Sequence, residues 1–362
     1  MSHTKQRSDR YRSGNAKDRS PTGRKRRELP PASYHRLIRL LKRLELEPAW
    51  IKVLPVNPIP IIFHRGPVGV QLRLLNLLTA GSDGEMEAVI RQLRRAASAS
   101  PEVARILKRQ RKDGIWPVEA SGQPEGAVKQ LVLLGLLENL HALVDLGGRR
   151  SWPGVDRGLR ALLSFQHEDG RFPLSYHQHA CIGRLLMALG LGRNPAVHRA
   201  AHWILERQRE DGGWLHPQMA GNRAKPPSCI WTTAEVLAFI ARYPTLRIKQ
   251  RLQQAGEFLL EHALQPNTTT LLPDAGAWDV LEEGSRGVQL FHGGTLKVLD
   301  GLTLAGFNPS HSVFKKLYTW LLEQQLKGGY YPRISGRDTR GDPLVTVRAL
   351  EVIYWVETTR PG

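Results

Sequence analysis

Along most of the chain, hydrophobic and polar positions sort into two alternating kinds of segment. One kind is amphipathic, with apolar residues at helical spacing on one side and Arg, Lys and Glu on the other. The other kind is nearly all apolar and covers residues 128–145, 181–191, 229–241, 295–305 and 344–357. A helix with little polar face is buried on most sides, whereas an amphipathic one borders solvent. Their alternation, at a period of roughly 40–60 residues, predicts an array of helical hairpins with an inner apolar ring and an outer amphipathic ring. Five hairpins are clear, and a sixth is expected from 34–44 and 70–78. The run Pro55-Val-Asn-Pro-Ile-Pro60 is expected outside any helix, because three prolines break the register. Residues 265–287 read as a long loop carrying Asp274, Asp279, Glu282 and Glu283. Long loops in compact domains are often functional.

The amphipathic segments end in a recurring design. The fullest copy is Arg199-Ala-Ala-His-Trp-Ile-Leu-Glu-Arg-Gln-Arg-Glu-Asp-Gly-Gly-Trp214: a helix, a glutamine, a glycine turn, then an aromatic ring. Gln110 leads in the same way to Asp113-Gly-Ile-Trp116, Gln166 to Asp169-Gly-Arg-Phe172, and Gln325 to Gly328-Gly-Tyr330. Near Phe258-Leu-Leu-Glu-His262 the design is degraded, with Ala263 in the glutamine's place. Glycine after the helix takes the left-handed conformation that ends it. The glutamine amide is expected to bond backbone groups freed there, with the ring packed over the turn. Each copy is thus expected to tie one hairpin to the next.

Composition narrows the function classes. The chain has 362 residues, enough for one large core, and 41% of them are apolar. The longest clean apolar stretch lies near 131–137, so no membrane-spanning segment is expected. The start of the chain is basic and lacks the apolar core of a secretory signal. With only Cys181 and Cys229, a disulfide scaffold is excluded; reduced thiols in a cytoplasmic protein are expected. The net charge is +19, and residues 1–50 carry 14 Lys/Arg against 5 Asp/Glu. Residues 1–30 are expected to be a disordered basic tail and 31–362 the helical domain. Such a tail suits an anionic membrane surface or nucleic acid, or serves solubility alone. The basic amphipathic stretch 34–45 fits either a membrane-surface helix or the outer helix of the first hairpin. Arg149-Arg150 and 109–112 could hold a diphosphate or simply form a solvated face. No phosphate-binding glycine loop, zinc-finger spacing or nucleic-acid-reading module is present.

The glutamine–aromatic units resemble the QW repeats of squalene–hopene and oxidosqualene cyclases, over roughly residues 100–362. That resemblance implies an all-α fold, the α/α toroid of five or six hairpins shared with protein prenyltransferases and lanthipeptide cyclases. It also implies an isoprenoid or other apolar small molecule in a central cavity. In the cyclases a Gly-Gly-Trp unit is followed by Asp-x-Asp-Asp-Thr-Ala, whose middle Asp protonates the alkene. Here the corresponding run is Cys229-Ile-Trp231-Thr232-Thr233-Ala234-Glu235, so the acid position holds an indole. Indole cannot supply the proton that an unactivated C=C requires. Glu235, Asp274 and Asp279 remain as acid or base candidates. Trp231, Cys229, Thr232, Phe239 and Trp355 are candidate cavity-lining residues, and Tyr354 sits beside them. The aromatics equally fit core packing.

Prenyltransferases and lanthipeptide cyclases also imply zinc, which turns a thiol into a thiolate nucleophile. Cys181 and Cys229 are expected to open successive inner helices, with His292 before the next and His179 nearby. Those four are the candidate metal ligands, although the spacing departs from both families' patterns. Three functions therefore stay open: an isoprenoid enzyme or relative, a non-catalytic binding protein that has lost the cyclase acid, and a zinc–thiolate transferase or lyase.

Overall fold

The computed structural model describes residues 48–79, 84–119, 121–216, 226–243, 249–265, 278–281 and 294–359. The expected tail and the stretch 34–45 lie outside them, as do Asp274, Glu282, Glu283 and His292. Among the described residues there are thirteen α-helices and no strand, only two isolated bridges.

Six of these helices form an inner ring: α2 (Val68–Leu78), α5 (Glu125–Asp145), α7 (Tyr176–Ala188), α9 (Ile230–Ile240), α11 (Thr295–Leu304) and α13 (Pro343–Thr358). Each packs on the next, and α13 packs back on α2, so the ring closes. Around it run α1 (Ile59–Arg65), α3 (Gly84–Ser98), α4 (Pro101–Lys108), α6 (Pro153–Leu163), α8 (Pro195–Leu205), α10 (Lys249–Glu261) and α12 (Ser312–Glu323). The fold is an α/α toroid, as the alternation predicts. α9 shows why an inner helix must be apolar: all eleven of its residues are buried.

Two boundaries differ from the sequence reading in what they place. α7 begins at Tyr176, because Ser175 and Gln178 form a reciprocal capping box. Cys181 therefore sits in its second turn and does not open it. α1 begins at Ile59 with Pro60 in its first turn, where a missing N–H costs nothing. Of the 55–60 run, only the part before Ile59 is non-helical. α5 is 21 residues long and, by length and composition alone, apolar enough to cross a membrane. It packs on α2, α4, α6 and α7 and buries Leu133, Leu136, Leu137, Leu140 and Leu143, as an inner helix of the ring.

The glutamine units act as clasps. Gln110 Nε2 donates to the carbonyls of Gly114 (3.0 Å) and Gly154 (2.8 Å), the latter in the first turn of α6. Gln166 does the same to Gly170 and Ala196 in α8, and Gln208 to Gly212 and Arg251 in α10. Gln325 donates to Gly329 and, across 269 positions, to Val56 just before α1. The last clasp thereby joins the end of the ring to its beginning. Each clasp glycine has positive φ. Gly170 shows the second reason for it: a Cβ there would stand 2.4 Å from the Arg199 carbonyl oxygen. The ring of each clasp is buried: Trp116, Phe172, Trp214 and Tyr331. In the last copy the ring is Tyr331, two residues after Gly329 as in the others; Tyr330 instead donates to Ile61 from its hydroxyl. At the degraded copy, the Trp278 indole donates to the Gln265 carbonyl (2.9 Å).

Candidate functional site

The axis of the ring is charged. Arg73 on α2, Asp145 on α5, Arg184 on α7, Glu235 on α9, Lys297 and Asp300 on α11, and Arg348 and Glu351 on α13 form three groups of ion pairs, to which every inner helix contributes. Arg242, two residues past the end of α9, adds a fifth cation to these four carboxylates. Arg73 grips Glu351 with two hydrogen bonds. Arg348 donates to Asp145 (3.0 Å), and Arg242 donates to both oxygens of Asp300 (2.8 Å each). Desolvated charges persist only when paired, and each charge here faces one of opposite sign.

The deepest member is Glu235, with 2% of its side chain exposed. Arg184 Nη1 donates to both of its oxygens (3.0 and 3.1 Å), and Lys297 Nζ lies 3.0 Å from Oε2. Burial alone would push this carboxyl up, but the Arg184 and Lys297 cations outweigh it and hold it well below the usual carboxylate range. Glu235 is therefore a fixed carboxylate and not a proton donor. The Cys181 Sγ lies within 4.8 Å of a Glu235 oxygen, and burial, reinforced by the Glu235 charge, pushes that thiol well up. His141, on α5, is half-buried beside them with Nε2 3.3 Å from the Cys181 carbonyl oxygen. Burial pulls its pKa down to about 4, which leaves the ring neutral.

The other sequence candidates are scattered. Phe239 is fully buried and packs on Gly183, where a Cβ would stand 2.4 Å from its ring; it is core between α7 and α9. Trp231 and Trp278 pack together with centroids 5.2 Å apart, both nearly buried. Cys229 is the N-cap residue of α9, its amide bonded to the Trp214 carbonyl (2.9 Å), and Thr232 is buried one turn later. Burial pushes the Cys229 thiol up as well. Asp279 accepts the Ser335 amide through its backbone carbonyl (2.7 Å) in the described part of the long loop. Trp355, 45% exposed, borders an open bowl at one end of the ring.

The expected zinc set does not assemble as written. His179 has both ring nitrogens engaged: Nδ1 accepts the Phe172 amide (3.3 Å), and Nε2 lies 3.0 Å from the Ala200 carbonyl. It packs against Trp203 as a core histidine, with its pKa pulled down to about 4 by burial. Among the described residues, the metal-ligating side chains that do converge are His177, Cys181 and Glu235, whose ligand atoms lie within 4.8 Å of one another. Cys229 and His179 are not in that group. Its carboxylate already faces a guanidinium and an ammonium, so a dication there would meet two cations at close range. These residues do not fit a zinc ion in this arrangement.

The bowl at the open end has a volume of ≈330 Å³. It is lined by Arg73, Asn76 and Leu77 from α2, Arg242 beyond α9, Asp300 from α11, and Glu351 and Trp355 from α13. Side-chain exposure rises toward it, from 2% at Glu235 through 11% at Asp145 to 33% at Arg73. The axis is thus a column of ion pairs, dry at Glu235 and wet at the bowl. Composition missed this column. The available signal was a charge set inside each otherwise apolar inner segment.

No protein-family model and no curated protein matches the sequence. The fold is similar to that of the type II terpene cyclase MstE from Scytonema (13% identity, 81% of this chain and 87% of that one, TM-score 0.40). It is also similar to ent-copalyl diphosphate synthase from Streptomyces platensis (16%, 80% and 50%, TM-score 0.37) and to a polysaccharide lyase (12%, 82% and 92%, TM-score 0.46). Identities and scores this low transfer no chemistry, and the fold assignment rests on the closed ring of six inner helices.

Proposed function

We propose that this chain is a non-catalytic binding protein on a cyclase-like α/α toroid, which recognises a small ligand at the open end of the ring. One observation carries the reading: the column of ion pairs stands where a cyclase would need an apolar cavity and a strong acid. Seating a prenyl chain among these pairs would strip them of hydrogen bonds at a cost of several kcal/mol. Glu235, held as a carboxylate, supplies no proton for alkene activation.

The test is direct. Purified chain is incubated with squalene and with geranylgeranyl diphosphate, and the extracts are examined by mass spectrometry. Unchanged substrate is expected, and a cyclised product would overturn the proposal. Metal analysis of the same preparation addresses the zinc–thiolate alternative, which requires about one zinc per chain for a structural or catalytic site.

A second reading has its own observation. Trp231 and Trp278 pack together, 5.2 Å apart and nearly buried, with Trp231 in the first turn of α9, the end opposite the bowl. Paired aromatic faces suit an isoprenoid. If an isoprenoid binds there, a thermal shift with a prenyl diphosphate appears in the native chain and vanishes in Trp231→Ala.

A further inference from the structure

The bowl at the open end of the ring combines three features that together define a ligand class. First, its charges cancel: Arg73 is paired with Glu351 and Arg242 with Asp300. A charged ligand gains nothing from a neutral rim. An anion is further disfavoured because α2, α9 and α13 present their C-terminal halves here, the negative ends of their dipoles.

Second, the polar groups are planar forks. Two guanidiniums, two carboxylates and the Asn76 amide offer donors and acceptors side by side, with capacity left after pairing. The ligand that suits such a rim has groups that donate and accept at once, which is the property of hydroxyls. An apolar chain would leave these groups without partners.

Third, the rim holds one flat apolar platform. Trp355 is 45% exposed, whereas the remaining described tryptophans are buried or half-buried. Tyr354 meets its edge at 5.4 Å, and Trp50 meets Tyr354 at 5.6 Å, so the platform is backed by packed rings. The bowl's ≈330 Å³ lies at the low end of the roughly 300–1,000 Å³ common for small-molecule sites.

We infer that this bowl is a saccharide-binding site, seating a neutral sugar with one ring face on Trp355 and its hydroxyls on the Arg73–Glu351 and Arg242–Asp300 pairs. The inference rests on the binding-protein reading and supplies its ligand class. Nucleosides share a stacking face but carry fewer hydroxyls, set on a ribose apart from the stacking base, so they form the control.

The full chain is screened on an array of neutral and acidic saccharides, and the best neutral binder is titrated by calorimetry. Expected is saturable binding that weakens at least tenfold in Trp355→Ala and only partly in Trp355→Phe. Both variants should melt like the parent chain, because the ring is exposed. Adenosine should not compete. A blank array overturns the inference, as does unchanged affinity in Trp355→Ala or equal competition by adenosine. A blank array with no prenyl turnover leaves the binding-protein reading standing without its sugar. A cyclised prenyl product removes that reading, whatever the array shows.

Discussion

The clasps on the outside of the ring and the ion column on its axis both bury polar groups, by opposite means. A clasp satisfies its glutamine with backbone carbonyls, which any sequence supplies, so one solution repeats at Gly114, Gly170, Gly212 and Gly329. The column satisfies side chains with particular other side chains from elsewhere in the ring, as when Arg348 on α13 reaches Asp145 on α5. Its partners lie far apart in the sequence and follow no local motif of the kind the clasps repeat. The periphery therefore builds the toroid, and the axis makes this toroid different from one with an apolar cavity.

The sharpest way to break that contrast is at Glu235. In Glu235→Ala the Arg184 and Lys297 charges are left buried without their partner, and chemical denaturation should show a loss of about 3–5 kcal/mol. If the column were ornamental, the loss would stay below about 1 kcal/mol. The clasps should come next. Gly170→Ala forces a left-handed residue and drives a Cβ against the Arg199 carbonyl, with an expected loss of roughly 2–4 kcal/mol.

Acid should separate the two regions without mutation. Glu235 is depressed below its unfolded pKa, so its stabilisation is complete above about pH 4.5 and is lost as pH falls through the folded value. His141 and His179, held near 4 in the folded chain, take up protons more readily once unfolded. Stability should therefore fall as pH drops from about 6.5 toward 4, before Glu235 contributes. In His141→Gln that earlier slope should become shallower, and melting temperature against pH reads it. An unchanged slope would mean that burial does not hold His141 neutral. The smallest effect belongs to a single clasp amide. Gln166→Ala removes the bonds to Gly170 and Ala196 and should cost about 1–3 kcal/mol.

Much of the fold was legible in the chain. The apolar segments marked the inner helices to within a few residues, and the recurring glutamines marked where hairpins join. The misreadings were local. Ser175 hid a cap that moved Cys181 into the second turn of α7. Pro60 opened a helix instead of excluding one, and the last clasp ring fell on Tyr331. The site was far less legible. The alignment that put Trp231 at the acid position drew attention to the start of α9, while the charges that matter lie deeper. Arg184, Lys297, Asp145 and Arg348 are isolated charges within apolar stretches, and no spacing rule joins them.

By itself the sequence determined the ring. Hydrophobic periodicity and the clasp residues act over a few positions, and those local preferences fix helix, turn and hairpin order. Only tertiary structure decided what fills the ring. Whether Glu235 is an acid or a spectator depends on which cations the closure of six helices brings within about 3 Å of it. That proximity is a property of the closed circle and of no segment of the chain.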